Sequence, residues 1–255
     1  MPTKLPVTLQ LYTLRDDLAQ DFAGTIAKVA EIGYAGVELA GFGGLSAADV
    51  KALLDQHKLV AAGSHVGIDA MEKDIDSVIE QHKTIGTEFV SVPWLAEERR
   101  KDIEGYKAFG RALTALGAKL KEAGLTLCYH NHAFEFEKFG GDTYGYDALF
   151  GEADPDLVKI EMDTYWVKKG GEDPAAYIRK YAGRVPLLHI KDMAADADGK
   201  FAEVGEGVMD FPAIFEAAGV GGAKFYIVEQ DQCYNHPPLE SVAISFRNLQ
   251  KMGMA

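Results

Sequence analysis

The stretch "VTLQLYTLRDDLAQD", residues 7–21, opens the regular part of the chain and arbitrates its fold. Residues 7–13 read as a short apolar strand, and no GxGxxG comes after it. An open, doubly wound sheet usually carries that glycine fingerprint directly after its first strand. Further strand patterns occur at 36–41 (GVELAG), 60–67 (VAAGSHVG), 89–95 (FVSVPWL), 125–132 (LTLCYHNH), 158–166 (VKIEMDTYW), 185–193 (VPLLHIKDM) and 225–231 (FYIVEQD). Most are too short for helices and are bounded by Gly, Pro or polar residues. Amphipathic segments lie between them, such as "DFAGTIAKVAEIG", "SAADVKALLDQHK" behind a Ser46 cap, and the closing "PLESVAISFRNLQKMG". Strict strand–helix alternation implies a parallel sheet, and eight units close most economically into a (β/α)8 TIM barrel. One barrel domain over residues 1–255 is expected.

Composition narrows the function classes. With 26 Lys and Arg against 39 Asp and Glu, the net charge of −13 argues against a nucleic-acid surface. Cys128 and Cys233 are the only cysteines, so there is no disulfide framework, and Cys128 reads as a small core hydrophobe. The opening "MPTKLPVTLQLYTLR" has no signal-peptide pattern, and no run approaches the ~20 apolar residues of a membrane span. A soluble cytoplasmic protein is expected, and a periplasmic chain without its leader would read the same.

In a barrel the C-terminal ends of all strands converge on one mouth, where active sites are built. The fifth strand there runs into "LCYHNHAFEFE", residues 127–137. His130 and His132 are two apart, so along a strand both face one side. The third strand ends in His65 and the fourth near Trp94. The sixth carries Glu161 and Asp163, then Tyr165 and Trp166. The seventh offers His189 and Lys191, the eighth Glu229 and Asp231. Any one of these could be an ordinary core or turn residue. Gathered at one mouth, buried carboxylates and imidazoles would conflict without a cation. Imidazoles and carboxylates without thiolates suit Mn, Co, Zn, Mg or Fe. The remaining histidines, His57, His82 and His236, read as surface groups on helices or a loop.

The motifs "YHNHAFEF" (129–136), "EMDTYW" (161–166), "HIKDM" (189–193), "VGEGVMDF" (204–211) and "YIVEQD" (226–231) resemble the sugar phosphate isomerase/epimerase family, in the subgroup with a YHNHxFEF motif. These are xylose-isomerase-like barrels. The resemblance spans essentially the whole chain and implies one divalent metal, commonly manganese, held by Glu, Asp, His and Glu. It carries over to Asp163, His189 and Glu229. The first Glu does not match: in "GLTLCYHN" His130 stands where relatives read "GxxLxxEN", with Glu135 as the competing ligand.

The implied chemistry is removal of a proton next to a carbonyl, through an enediolate, with Glu229 or His132 as base. An isomerase- or epimerase-like outcome, by epimerisation or aldose–ketose isomerisation, is expected, with elimination or hydration at the C1 oxygen of a 3-keto sugar as the alternative exit. Simple epimerisation is weakened by the loss of the two-carboxylate pair. Keto sugars such as 3-keto-glycosides are the expected substrates. His65, His132 and Lys191 are candidates for leaving-group acid or water activator. Trp94, Tyr12, Tyr165 and Trp166 would wall the sugar face, with Glu206 of the glycine-containing loop as a substrate contact. A DNA-repair endonuclease of this fold is disfavoured by the charge, and a non-catalytic sugar binder is the alternative from another class. Oligomeric state is left open.

Overall fold

A computed structural model describes residues 4–139 and 141–255. Residue 140, in the irregular segment 133–144, and the first three residues of the opening segment lie outside the described residues.

Eight parallel strands form the sheet: β1 (Val7–Gln10), β2 (Gly36–Leu39), β3 (Val60–Ser64), β4 (Phe89–Val92), β5 (Thr126–His130), β6 (Val158–Asp163), β7 (Leu187–Ile190) and β8 (Phe225–Val228). Their order is β3-β2-β1-β8-β7-β6-β5-β4. The two ends of that order nearly meet, because His65 and Ser91 form a parallel bridge and Val66 N–H donates to Ser91 O at 2.9 Å. The result is a nearly closed TIM barrel, as the alternation of patterns predicts.

Helices pack outside, and several start where a polar side chain satisfies the first free N–H groups. Asp21 accepts from Gly24 N–H before helix Phe22–Ile32, Ser46 from Asp49 N–H before Ala47–His57, and Asp102 from Gly105 N–H before Ile103–Glu122. Gly33 ends the first of these at φ +114°, a left-handed conformation that glycine adopts without strain.

All eight strands fall where the sequence places them, but every one stops short of its expected C-terminal end. The reason is local. After β1, the Gln10 side chain accepts from Tyr12 N–H and the chain turns into a short 3-10 helix, Leu11–Leu14. After β6, the Asp163 carboxylate accepts from Trp166 N–H at 3.0 Å and starts helix Thr164–Lys169, so "TYW" is helical rather than extended. Past β7, Asp192–Met193 pairs antiparallel with Phe201–Ala202. His82 corrects the sequence reading: it is buried at 1% exposure in helix Ile75–Ile85, with Nδ1 2.6 Å from Val78 O.

Candidate metal centre and its cavity

The barrel interior changes character from bottom to mouth. Phe89, Cys128, Leu187 and Ile227 form an apolar layer on β4, β5, β7 and β8. Two residues further along β5, β7 and β8 stand His130, His189 and Glu229, on the same inward parity. Two further again come His132, Lys191 and Asp231. The period of a strand thus stacks chemistry directly on hydrophobic packing.

His189 is the hub. Its Nδ1 lies 2.9 Å from Glu229 Oε2, and its Nε2 lies 2.7 Å from Glu38 Oε2 and 2.9 Å from Glu161 Oε1. Ionised carboxylates only accept, so both ring nitrogens carry hydrogen in this arrangement. Burial alone would lower its pKa, but Glu161 and Glu38 together overcome that and hold it well above the ordinary value. A cation can replace such a proton.

Two groups of donors surround it. His130, Asp163, His189 and Glu229 bring ligating atoms within 4.8 Å of one another, as do Glu38, His65, Glu161 and His189. The first group joins Asp163, His189 and Glu229, which the family resemblance implies, to His130, which stands in the place of the family's first Glu. His130 Nε2 sits 3.2 Å from Asp163 Oδ2, while His130 Nδ1 is buried without a partner. Lys191 is buried among the acids of this group, with Nζ 2.9 Å from Asp163, 2.7 Å from Glu229 and 2.6 Å from Asp231. Burial opposes the charge on Asp163, yet Lys191 leads the groups that hold its carboxyl down at about 2. This buried set of acids and imidazoles is chemically suited to a divalent metal ion.

Glu135, the competing ligand, lies elsewhere. Tyr129 OH and His132 N–H donate to its two oxygens, so it fixes the turn after β5. Burial raises its carboxyl to about 8.

Above the ligands opens a cavity of about 600 Å³. Tyr12, His65, Trp94, His130, His132, Trp166, Lys191, Glu229 and Asp231 all line it, so most sequence-derived candidates converge there. Trp94 and Tyr12 sit at the rim, 49% and 45% exposed. His132 is boxed by aromatics, edge-on to Trp94 at 4.8 Å and stacked on Phe134 at 5.4 Å. Burial pushes its pKa down to about 2, leaving a neutral, weakly basic ring.

Two expected substrate contacts are not among the lining residues. Tyr165 is 2% exposed, donates its hydroxyl to Gly199 O at 2.7 Å and packs on Phe201 behind Trp166. Glu206 accepts from Asn248 Nδ2 at 2.8 Å. Its loop is organised by Asp192, whose carboxylate accepts N–H groups from Met193, Gly205, Gly207 and Met209. A Cβ at Gly207 would lie 2.2 Å from Met193 O, so the glycine there permits close packing of the loop. The motif "VGEGVMDF" is therefore read structurally as the partner of the Asp in "HIKDM".

Glu38 and Gln10, whose Nε2 donates to Glu38 Oε2 at 2.8 Å, are not among the sequence-derived candidates. The one signal for them was a carboxylate in the middle of "GVELAG", inside a strand that is otherwise apolar.

Residues 26–251 match the family described as Xylose isomerase-like TIM barrel, in accord with the fold. The chain belongs to that family. The rhizopine catabolism protein MocC of Rhizobium meliloti is 26% identical over 268 residues, covering 90% of this chain and 81% of MocC. Inosose dehydratase of Clostridium beijerinckii is 28% identical over 153 residues, 52% of this chain and 50% of that enzyme. The chain thus aligns with about half the length of that relative. A solved sugar phosphate isomerase/epimerase from Parabacteroides distasonis superposes with a TM-score of 0.85 at 25% identity, covering 98% of each chain. The protein is a sugar-modifying enzyme of this superfamily. Among the described residues no helix is long and apolar enough to cross a membrane.

Proposed function

We propose that the protein is a divalent-metal-dependent enzyme acting on a keto sugar or keto-cyclitol. It removes the proton next to the carbonyl and expels the oxygen on the following carbon, a dehydratase-type elimination. Within the family it falls in the subgroup marked by "YHNHAFEF". The observation that carries this reading is the asymmetry of the cavity. Its carboxylates, Glu229 and Asp231, stand together at β8, while β5 presents only the imidazoles of His130 and His132. Epimerisation through two opposed carboxylates has no second carboxylate on β5 to use.

His130, Asp163, His189 and Glu229 would hold the ion, with manganese the first choice and Mg, Co, Zn or Fe suited to the same donors. When bound, it supplies Lewis-acid polarisation of the substrate carbonyl and offsets the charge developing on its oxygen. Glu229 takes the proton from the carbon beside the carbonyl. The electron pair of that C–H bond forms a carbon–carbon double bond as the next C–O bond breaks. The departing oxygen takes a proton from the Lys191 ammonium, so water or an alcohol leaves and an unsaturated ketone remains. Lys191 Nζ and Glu229 Oε2 are 2.7 Å apart, so Glu229 can return its proton to Lys191 after each turnover. Base and acid on one side imply a syn elimination.

His65 and His132 would orient substrate hydroxyls, and Trp94, Tyr12 and Trp166 would cover the ring faces. The cavity suits an unphosphorylated substrate, since its lysine is engaged by three carboxylates. The name of one relative, inosose dehydratase, supports this reading, since it describes removal of water from an inosose.

Isomerisation or epimerisation is the second reading, favoured by the likeness to the Parabacteroides protein. Product mass after incubation with an inosose and with a 3-keto-glucoside separates the two. Loss of water or of the C1 substituent supports elimination, and a rearranged product of unchanged mass would replace it with isomerisation.

A further inference from the structure

We propose that the barrel holds a second divalent cation beneath the first, bound by Glu38, His65 and Glu161, with His189 as the wall between the two sites. This inference goes beyond the proposed reaction and concerns residues that the family's four-ligand set leaves unused.

Glu38 on β2 and Glu161 on β6 are both fully buried, and their carboxylates converge under the cavity floor. His65 Nε2 lies 3.0 Å from Glu161 Oε2 and 3.4 Å from Glu38 Oε2, and it also lines the cavity. The donor atoms fit one ion, all within 4.8 Å, and the mixed imidazole and carboxylate set suits a borderline divalent metal. Glu38 Oε1 is buried with no hydrogen-bond partner. A Cβ at Gly63 would lie 2.5 Å from that oxygen, so the glycine makes room for this carboxylate on the neighbouring strand.

The two groups differ in what neutralises them. Lys191 serves Asp163, Glu229 and Asp231. Among the described residues, Glu38 and Glu161 have only the imidazoles of His65 and His189 as cationic partners. Burying two carboxylates without full compensation is costly. Five carboxylates, Glu38, Glu161, Asp163, Glu229 and Asp231, face one lysine here. Two divalent ions with neutral imidazoles cancel that charge completely. His65, at the cavity floor, gives the deeper ion its route in from the mouth.

The test is a count of manganese ions per chain, by elemental analysis of the full-length protein stripped with chelator, reloaded with Mn2+ and freed of excess. Two per chain in the wild type, falling to one in Glu38→Gln and in Glu161→Gln, is the expected result. The two ions of the wild type should also give a spin-coupled manganese EPR spectrum. One ion per chain at saturation in the wild type overturns the proposal, whatever the variants do. So does a count of two that Glu38→Gln and Glu161→Gln leave unchanged. Failure of the first site is distinguishable, because it would show as Asp163→Asn retaining every ion of the wild type.

Discussion

The bottom and the top of this barrel are built from the same strands and have opposite tasks. Leu187, Cys128 and Ile227 close the bottom, and His189, His130 and Glu229 stand two residues further along those strands. Both layers are almost solvent-free. The lower one gains from burial, since apolar surface leaves water. The upper one loses by it, since charged groups leave water and are compensated only by one another. Stability and chemistry are thus separated by one strand period. A substitution should affect one layer with little effect on the other.

The largest effect is expected at His189, which touches both donor groups. His189→Ala should abolish metal retention, weakening binding by at least about 100-fold, the upper range seen when even supporting partners of metal ligands are lost. Full metal occupancy in the purified variant would break the division between the layers. From the other side, Phe89→Ala should cost ~3–5 kcal/mol of stability through the cavity it leaves, read as a fall in the denaturation midpoint. Its metal content in the folded protein should be unchanged. Metal loss there would mean that the layers are not separable.

A finer comparison lies within the turn after β5. His130→Ala should weaken metal binding more than Glu135→Ala, and the reverse order would move the fourth ligand to Glu135. The smallest effect concerns pH. Burial raises Glu135 from 4.5 to about 8, so the folded chain keeps a proton that the unfolded chain releases in that window. Its contribution is complete below pH ~4.5 and is lost as pH rises through about 8. Glu135→Gln should flatten this decline in a series of denaturation midpoints across that range; an unaltered slope would remove Glu135 as its source.

Much of this was legible in the sequence because the signals are local. Strand period two puts His130 with His132 and Glu229 with Asp231 on shared faces, and strand–helix alternation brings those faces to one mouth. What escaped depends on distant contacts. Glu38 meets His189 from 151 positions away, and nothing near "GVELAG" announces that partner. The sequence pattern runs past the true strand end where a polar side chain turns back on the backbone, as Asp163 does to Trp166 N–H. Tyr165 and Trp166 are neighbours in sequence and both pack against Phe201, but only Trp166 also lines the cavity.

The most direct measurement is exchange of the hydrogen beside the carbonyl, monitored by proton NMR in D2O with an inosose or a 3-keto-glucoside. Protein loaded with a diamagnetic ion such as Mg2+ or Zn2+ is compared with chelator-stripped protein and with Glu229→Gln. Deuterium should enter at that carbon only with metal-loaded wild type, and the unsaturated ketone should accumulate. Exchange that persists in stripped protein or in Glu229→Gln would contradict a metal-assisted proton abstraction by Glu229.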